Sequence, residues 1–488
     1  MKKTQVLLLG VLLACAQSCT KTAVDNSSTN TTTREDESGQ VITEAAYNRR
    51  EQNARVSSTI TVGSTSVKIY SYDPQGTAED HVAFKYGDLL NRAATYKNAH
   101  PSEAVEVKFV MYKFEKNVYV GFNPDSSSYG YVKNTDFAGD DSERLIWSVV
   151  KAAKNKVQVK LVFHNPTSDD ISSYLNDYMN DFCYNSTTEK VSDYLQFRRN
   201  DNWYAPLGGQ DTLVQQHNKF MLVNKYATYT NALYITSNNI DLHTATGRPT
   251  ASKDWTQCGT LLWNNAGLYN AYSRYFDKIF DNYNNVQAFW TAVRSGGTYN
   301  HANGNLNYSD ANFSAYFYPM PVTATNGDMN DSTHNAWVPA FNPVAAITDE
   351  MVAATGQARY VKINMYNLKT DPYGNKFISR MHDLQNSANN TDIKCYVNVD
   401  TEDPGGTNLT TALSFMDELV YGAKTHCKNY TYAFSTGGTL KYYSITGSTN
   451  AKKSEYCFKA NNALVIKETT SAHPVYDEFK AVFEDAGN

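Results

Sequence analysis

Apolar residues fall along this chain in two nearly matching stretches. "VKFVMYKF" at 107–114 and "VKINMYNL" at 361–368 share Val, Lys, Met and Tyr in step. Each reads as a strand, because β-branched and aromatic residues dominate it. After the first, Leu145, Ile146, Val149, Val150 and Ala153 recur at the 3.6-residue period and predict a helix, with a strand to follow in "VQVKLVF" at 157–163. After the second, Phe377, Ile378, Met381 and Leu384 predict another helix before "IKCYVNV" at 393–399. Strand, helix, strand, twice over, implies parallel βαβ units and an α/β protein of two similar lobes.

The pattern changes at the beginning and in the middle. "MKK" followed by "VLLLGVLLA" is a basic segment plus an apolar run too short to span a bilayer, so it reads as an export signal. The run ends at Cys15, preceded by Leu12 and Ala14, with Cys19 close behind in "SCTK"; both resemble the lipidation site of bacterial lipoproteins. A diacyl anchor would supply the two-chain attachment that holds a protein at a membrane. The polar stretch after it has too little apolar surface to order itself. Around residue 300, "SGGTYNHANGNLNYSDANF" is rich in Gly and Asn and reads as a surface linker. The expected division is a signal at 1–19, a spacer at 20–58, a first lobe at 59–295, a linker at 296–345 and a second lobe at 346–488. The expected location is the outer membrane or cell surface, with the periplasm or secretion as alternatives.

Net charge is −5. No global basic field advertises nucleic acid or an anionic membrane surface. Five cysteines lie beyond the signal, Cys183, Cys258, Cys395, Cys427 and Cys457, with no CxxC or zinc-like spacing, and the sequence leaves any pairing open.

The chemistry sits in two short motifs. "QQHNKFMLVN" places His217 and Lys219 two apart, and "HCKNYTYA" does the same with His426 and Lys428. Each is followed about twenty residues later by a serine and an asparagine closing a second apolar strand: Ser237 and Asn239 in "ITSNN", Ser448 and Asn450 in "ITGSTN". Residues two apart on a strand share a face, so two adjacent antiparallel strands would bring the four side chains of each half together.

This doubled arrangement resembles the phospholipase D superfamily, whose members carry HxKxxxxD and then GSxN in each of two lobes. The resemblance covers most of the chain from about residue 60. It implies two similar mixed β-sheets flanked by helices, packed with pseudo-twofold symmetry. It also implies a phosphodiesterase that needs no metal and no other cofactor. His217 would be the nucleophile that forms a phosphohistidine, and His426 the acid and later the base. Lys219 and Lys428 would neutralise the phosphate, and Ser237, Asn239, Ser448 and Asn450 would hold its oxygens.

The chain departs from the family pattern where carboxylates are expected. The motif aspartate becomes Asn224 in the first half and Ala433 in the second. The residues expected to orient the histidines become Gln257 and Asn461, with Asp254 as an alternative. An amide oxygen can fix a histidine tautomer, though it stabilises an imidazolium less than a carboxylate does.

The leading expectation is cleavage of a phospholipid head group by a monomer tethered to its membrane. A nuclease-type phosphodiesterase acting on nucleic acid is less favoured by the charge, and a surface protein that binds phosphorylated ligands or glycans without turnover is the third reading. The loop at 201–215 before His217 is expected to line the mouth of the site.

Overall fold

The computed structural model describes residues 33–35, 41–43, 54–72, 82, 84–116, 145–164, 171–200, 203, 215–226, 229–240, 256–294, 307–320, 336–354, 356–387, 390–397, 409, 411–423 and 425–486. The signal with Cys15 and Cys19, Asp254, and nearly all of the loop at 201–215 lie outside the described residues. Among the described residues no helix is long and apolar enough to cross a membrane.

A short hairpin of β1 (Thr33–Glu35) and β2 (Val41–Thr43) comes first. The first lobe then runs β3 (Ala54–Val56), β4 (Ile60–Val62), β5 (Thr65–Tyr72), α1 (Phe84–Ala99), β6 (Glu106–Met111), α2 (Leu145–Lys154), β7 (Gln158–Phe163), α3 (Ile171–Tyr178), β8 (Leu195–Arg199), β9 (Lys219–Tyr226), β10 (Tyr229–Thr236), β11 (Gln257–Trp263), α4 (Ala266–Asp281) and α5 (Val286–Arg294). The second runs β12 (Tyr308–Ser309), β13 (Phe313–Phe317), α6 (Pro343–Ala353), β14 (Arg359–Met365), α7 (Pro372–Gln385), β15 (Thr391–Val397), β16 (Glu418–Tyr421), β17 (Lys428–Thr436), β18 (Thr439–Gly447), α8 (Lys453–Cys457), β19 (Asn462–Glu468) and α9 (Pro474–Ala486).

The two sheets repeat one plan. The first has the order β3-β5-β11-β10-β9-β6-β7-β8, with β4 also on β5; the second has the order β12-β13-β19-β18-β17-β14-β15-β16. In each, the expected βαβ unit pairs in parallel, β6 with β7 and β14 with β15, and the HxK strand lies antiparallel beside it, β9 on β6 and β17 on β14. The next two strands follow as antiparallel neighbours, β10 and β11 in one lobe and β18 and β19 in the other. The fold is therefore α/β with two similar mixed sheets, and corresponding strands carry corresponding motifs.

Two expected boundaries move. Part of the expected linker at 296–345 is structural: β13 pairs with β19 and alternates buried and half-buried positions, so the second lobe begins by Tyr308. Five alternating residues at the close of an Asn-rich stretch are too short a signal to stand out from a loop. The first lobe likewise begins before residue 59, because Ala54–Val56 pairs with β5.

The lobes share one core. A single apolar cluster takes Phe220, Tyr272, Tyr275 and Phe276 from the first lobe and Phe317, Ile363, Tyr430 and Leu464 from the second. The Tyr275 ring stacks on Phe317 with centroids 4.5 Å apart. Each large side chain removed from water in this way stabilises the joined lobes by roughly 1.5–3 kcal/mol. A second cluster fills the far side of the first sheet. Cys183, Cys258, Cys395, Cys427 and Cys457 are all buried free thiols.

Candidate active site

Each HxK motif starts its strand at the boundary between lobes. Lys219 and Lys428 are the first residues of β9 and β17, and the residues just before the histidines form isolated bridges to the opposite lobe, Gln216 to Ala460 and Thr425 to Thr256. His217 N donates to Ala460 O at 2.8 Å, and His426 N donates to Thr256 O at 2.9 Å. The residue that follows each of these partners is the amide expected to orient a histidine, Asn461 after Ala460 and Gln257 after Thr256. The backbone bridges therefore bring each amide to the imidazole of the other lobe.

The side chains complete the crossing. His217 Nδ1 lies 3.0 Å from Ser448 O and 3.2 Å from Asn461 Oδ1. His426 Nδ1 lies 3.2 Å from Gln257 Oε1, and the Ser237 backbone supplies a further hydrogen bond. All of these partners are acceptors, so Nδ1 carries the proton in each ring. A neutral imidazole then keeps its lone pair on Nε2.

The serines stand behind the amides. Ser237 Oγ donates to Gln257 Oε1 at 2.9 Å and accepts from Cys258 N at 3.0 Å. Ser448 Oγ donates to Asn461 Oδ1 at 2.8 Å and accepts from Asn462 N at 3.1 Å. Both hydroxyls are thus committed to holding an amide oxygen in place. Asn239 and Asn450 are buried at the ends of β10 and β18, and their successors Ile240 and Ala451 bridge to Phe114 and Leu368 on the segments after β6 and β14. Gly447 must lack a side chain, because a Cβ there would lie 2.2 Å from Asn462 O. That contact lets β18 approach β19 next to Ser448.

The lysines are almost fully removed from solvent, Lys219 at 0% and Lys428 at 1% exposure. Their Nζ atoms donate to the carbonyls of His217 and His426, at 2.9 and 2.7 Å. Burial pushes Lys428 down to about 7. Burial, and after it the Lys219 charge, also pushes His217 down to about 3. His426 is held well below its ordinary value by burial, then by Lys428, Lys219 and His217. Lys219 and His217 act on it from the opposite lobe, so the two motifs share one electrostatic environment.

One residue at the site was not expected from the sequence. Glu455, on α8 and 0% exposed, places Oε2 3.3 Å from His217 Nδ1. It also accepts from Asn461 Nδ2 at 2.7 Å. Burial alone would raise this carboxyl, but Lys459 at 3.0 Å, His217 and Lys452 hold it well below the usual range. The only sequence signal was an acidic residue set in the basic run "AKKSEYCFK" after GSTN. α8 is held in place by Asp371, which accepts from Lys453 N at 2.7 Å while capping α7 through Gly374 N at 2.9 Å.

Asn224 belongs to a different place. Its Oδ1 accepts from Glu106 N at 2.8 Å and its Nδ2 donates to Ala104 O at 3.1 Å, which fastens β9 to the start of β6. Five residues along the strand from Lys219, it is on the order of 16 Å from the site. Ala433 pairs with Tyr360 at the matching end of the second sheet. Among the described residues no group of three or more His, Cys, Asp or Glu is gathered for a metal ion.

No protein-family model matches the chain, and no curated protein matches it. Solved structures similar to it include a polyphosphate kinase from Porphyromonas gingivalis, 12% identical, covering 86% of this chain and 50% of that one with a TM-score of 0.40. A phosphatidylserine synthase from Haemophilus influenzae is 8% identical, covering 91% of this chain and 90% of that one with a TM-score of 0.49. The yeast tyrosyl-DNA phosphodiesterase is 9% identical, covering 76% of this chain and 85% of that one with a TM-score of 0.37. The chain thus spans half the length of the polyphosphate kinase.

Proposed function

We propose that the chain is a phosphodiesterase of the phospholipase D type, working through a phosphohistidine without a metal. The observation that carries this reading is the crossed pair of histidines. Each has its Nδ1 proton held by the opposite lobe, and each has a buried lysine two residues on.

In the first step His217 Nε2 attacks phosphorus, the bond to the leaving oxygen breaks, and His426 gives that oxygen its proton. In the second, water attacks phosphorus, His426 takes the water proton, and the P–N bond breaks. His217 is assigned as nucleophile because Glu455 lies against its Nδ1, where the positive charge of a phospho-imidazolium would develop. His426 has an amide at that position, which suits a group that must release its proton. A bound phosphodiester adds a negative charge between Lys219 and Lys428. Burial is the largest cause of His426's low proton affinity, and this added charge offsets the part that comes after it, the repulsion from Lys428, Lys219 and His217.

Lys219 and Lys428 are proposed to neutralise the phosphoryl oxygens, with Asn239 and Asn450 as donors. Ser237 and Ser448 then act through the amides they hold. Phospholipid is the proposed substrate, on the strength of the lipoprotein-like leader. The test is to incubate the full chain, in chelator, with phosphatidylcholine, phosphatidylethanolamine, oligonucleotides and bis-nitrophenyl phosphate. Turnover abolished by both His217→Ala and His426→Ala is expected, with a phosphorylated protein trapped in His426→Ala but not in His217→Ala. Turnover of oligonucleotides alone would redirect the substrate, and no turnover by a folded chain would sink the enzyme reading.

A further inference from the structure

The histidine and lysine of each motif share a third side chain. Tyr112 follows β6, and its ring centroid lies 4.8 Å from that of His217 with the planes at 61°. Lys219 Nζ sits 5.1 Å from the same centroid. In the second lobe Tyr366 follows β14, 4.5 Å from the His426 ring with the planes at 57°. Lys428 Nζ lies 5.1 Å from its centroid. One triangle of imidazole, phenol ring and ammonium therefore occurs twice, and its aromatic corner is the Tyr of the "MY" pair that both repeats preserve.

An ammonium this deeply buried has lost its hydration shell. Each Nζ donates to the backbone carbonyl of its own motif's histidine, and a ring face adds a further source of negative potential. A ring packed at a steep angle against an imidazole also limits how far that imidazole can turn. Both tyrosines are half-buried. The titratable groups around Lys428 are His426 and Cys427 just before its strand, with Glu455 and Lys452 from the α8 segment.

We propose that Tyr112 and Tyr366 are positioning residues of the phosphate site, each seating a lysine ammonium on its ring face while the same ring, packed at an angle against the neighbouring imidazole, limits how far that imidazole can turn. The activity arm rests on the phosphodiesterase reading; the seating of the lysine does not. Substituting Tyr366 by Leu removes the ring, whereas Phe keeps the ring and removes the hydroxyl.

The experiment compares Tyr366→Phe with Tyr366→Leu in the full chain carrying 13Cε-labelled lysine, with the Lys428 signal identified by its loss in Lys428→Met. In Tyr366→Leu the Lys428 titration is expected about one pH unit lower, a tenfold loss of proton affinity, and in Tyr366→Phe it should stay with the parent. Turnover of bis-nitrophenyl phosphate should fall roughly tenfold in Tyr366→Leu and in Tyr112→Leu, with the Phe variants within about twofold of the parent. If Tyr366→Leu does not fold, Tyr366→Met, whose unbranched chain adapts better to an irregular gap, carries the same reading. An unmoved Lys428 titration in a folded ring-less variant, or equal damage from Phe and Leu, overturns the inference. A parent chain without turnover sinks the phosphodiesterase reading alone, and the lysine titration still decides this one.

Discussion

Glu455 Oε2 stands 3.3 Å from His217 Nδ1, and the two residues belong to different lobes. The same carboxylate accepts from Asn461, whose own oxygen lies 3.2 Å from that nitrogen. The first histidine is thus backed by a charge, and its counterpart His426 by the Gln257 amide.

Replacing Glu455 with Gln keeps the shape and removes the charge. Turnover is expected to fall about 10- to 100-fold, by analogy with the loss of a carboxylate that supports a metal-bound histidine from behind. The loss should lie in formation of the phosphorylated protein, measured in a single-turnover quench. A normal first step with a slowed second one would argue for His426 as the nucleophile.

Gln257→Glu gives His426 the charge it lacks. Gln257 Nε2 has no partner among the described residues, so the change sacrifices no hydrogen bond seen there. A carboxylate at this distance raises the proton affinity of the imidazole. Since the acid must be protonated to work, the basic limb of kcat/KM against pH should move to higher pH. An unchanged or lowered limb would remove His426 from the role of acid.

Acid should destabilise the fold through His217. Its value is pushed down to about 3 from 6.5 by burial and Lys219. Between those limits the unfolded chain takes up a proton that the folded one refuses, so the free energy of unfolding falls as pH drops through the window. The stability is fully present above about 6.5. Urea titrations from pH 3 to 7 should show a shallower acid slope in His217→Gln than in the parent, and an identical slope would count against the buried neutral ring.

Asn224→Ala should leave turnover within about twofold while costing on the order of 1–3 kcal/mol of stability, since it removes both bonds that Asn224 makes to the backbone near β6. Chemical denaturation and the phosphodiesterase assay together check this. A large loss of activity with stability intact would return this position to the catalytic machinery.

The repeated strands, the βαβ units and the HxK and SxN motifs were legible because each is written in local period or fixed spacing. The "MY" pair was visible as part of the repeat, yet nothing in a linear pattern says that its ring would meet both a histidine and a lysine. Glu455 was hidden for a different reason. It reaches His217 only because α8 and β19 belong to the opposite lobe, and a contact between residues so far apart in sequence leaves no periodic trace. Asn224 was legible only as a departure from the family aspartate, and its hydrogen bonds are those of a strand fastener.

The crossed bridges at Gln216 to Ala460 and Thr425 to Thr256 also limit how the molecule can move. Hinging the halves apart would strip both imidazoles of the acceptors that set their tautomers and tear open an apolar seam lined by Tyr272, Tyr275 and Phe317. Separating the two halves would therefore cost both bridges at once, and either half expressed alone would lack the acceptor that its histidine Nδ1 meets in the other.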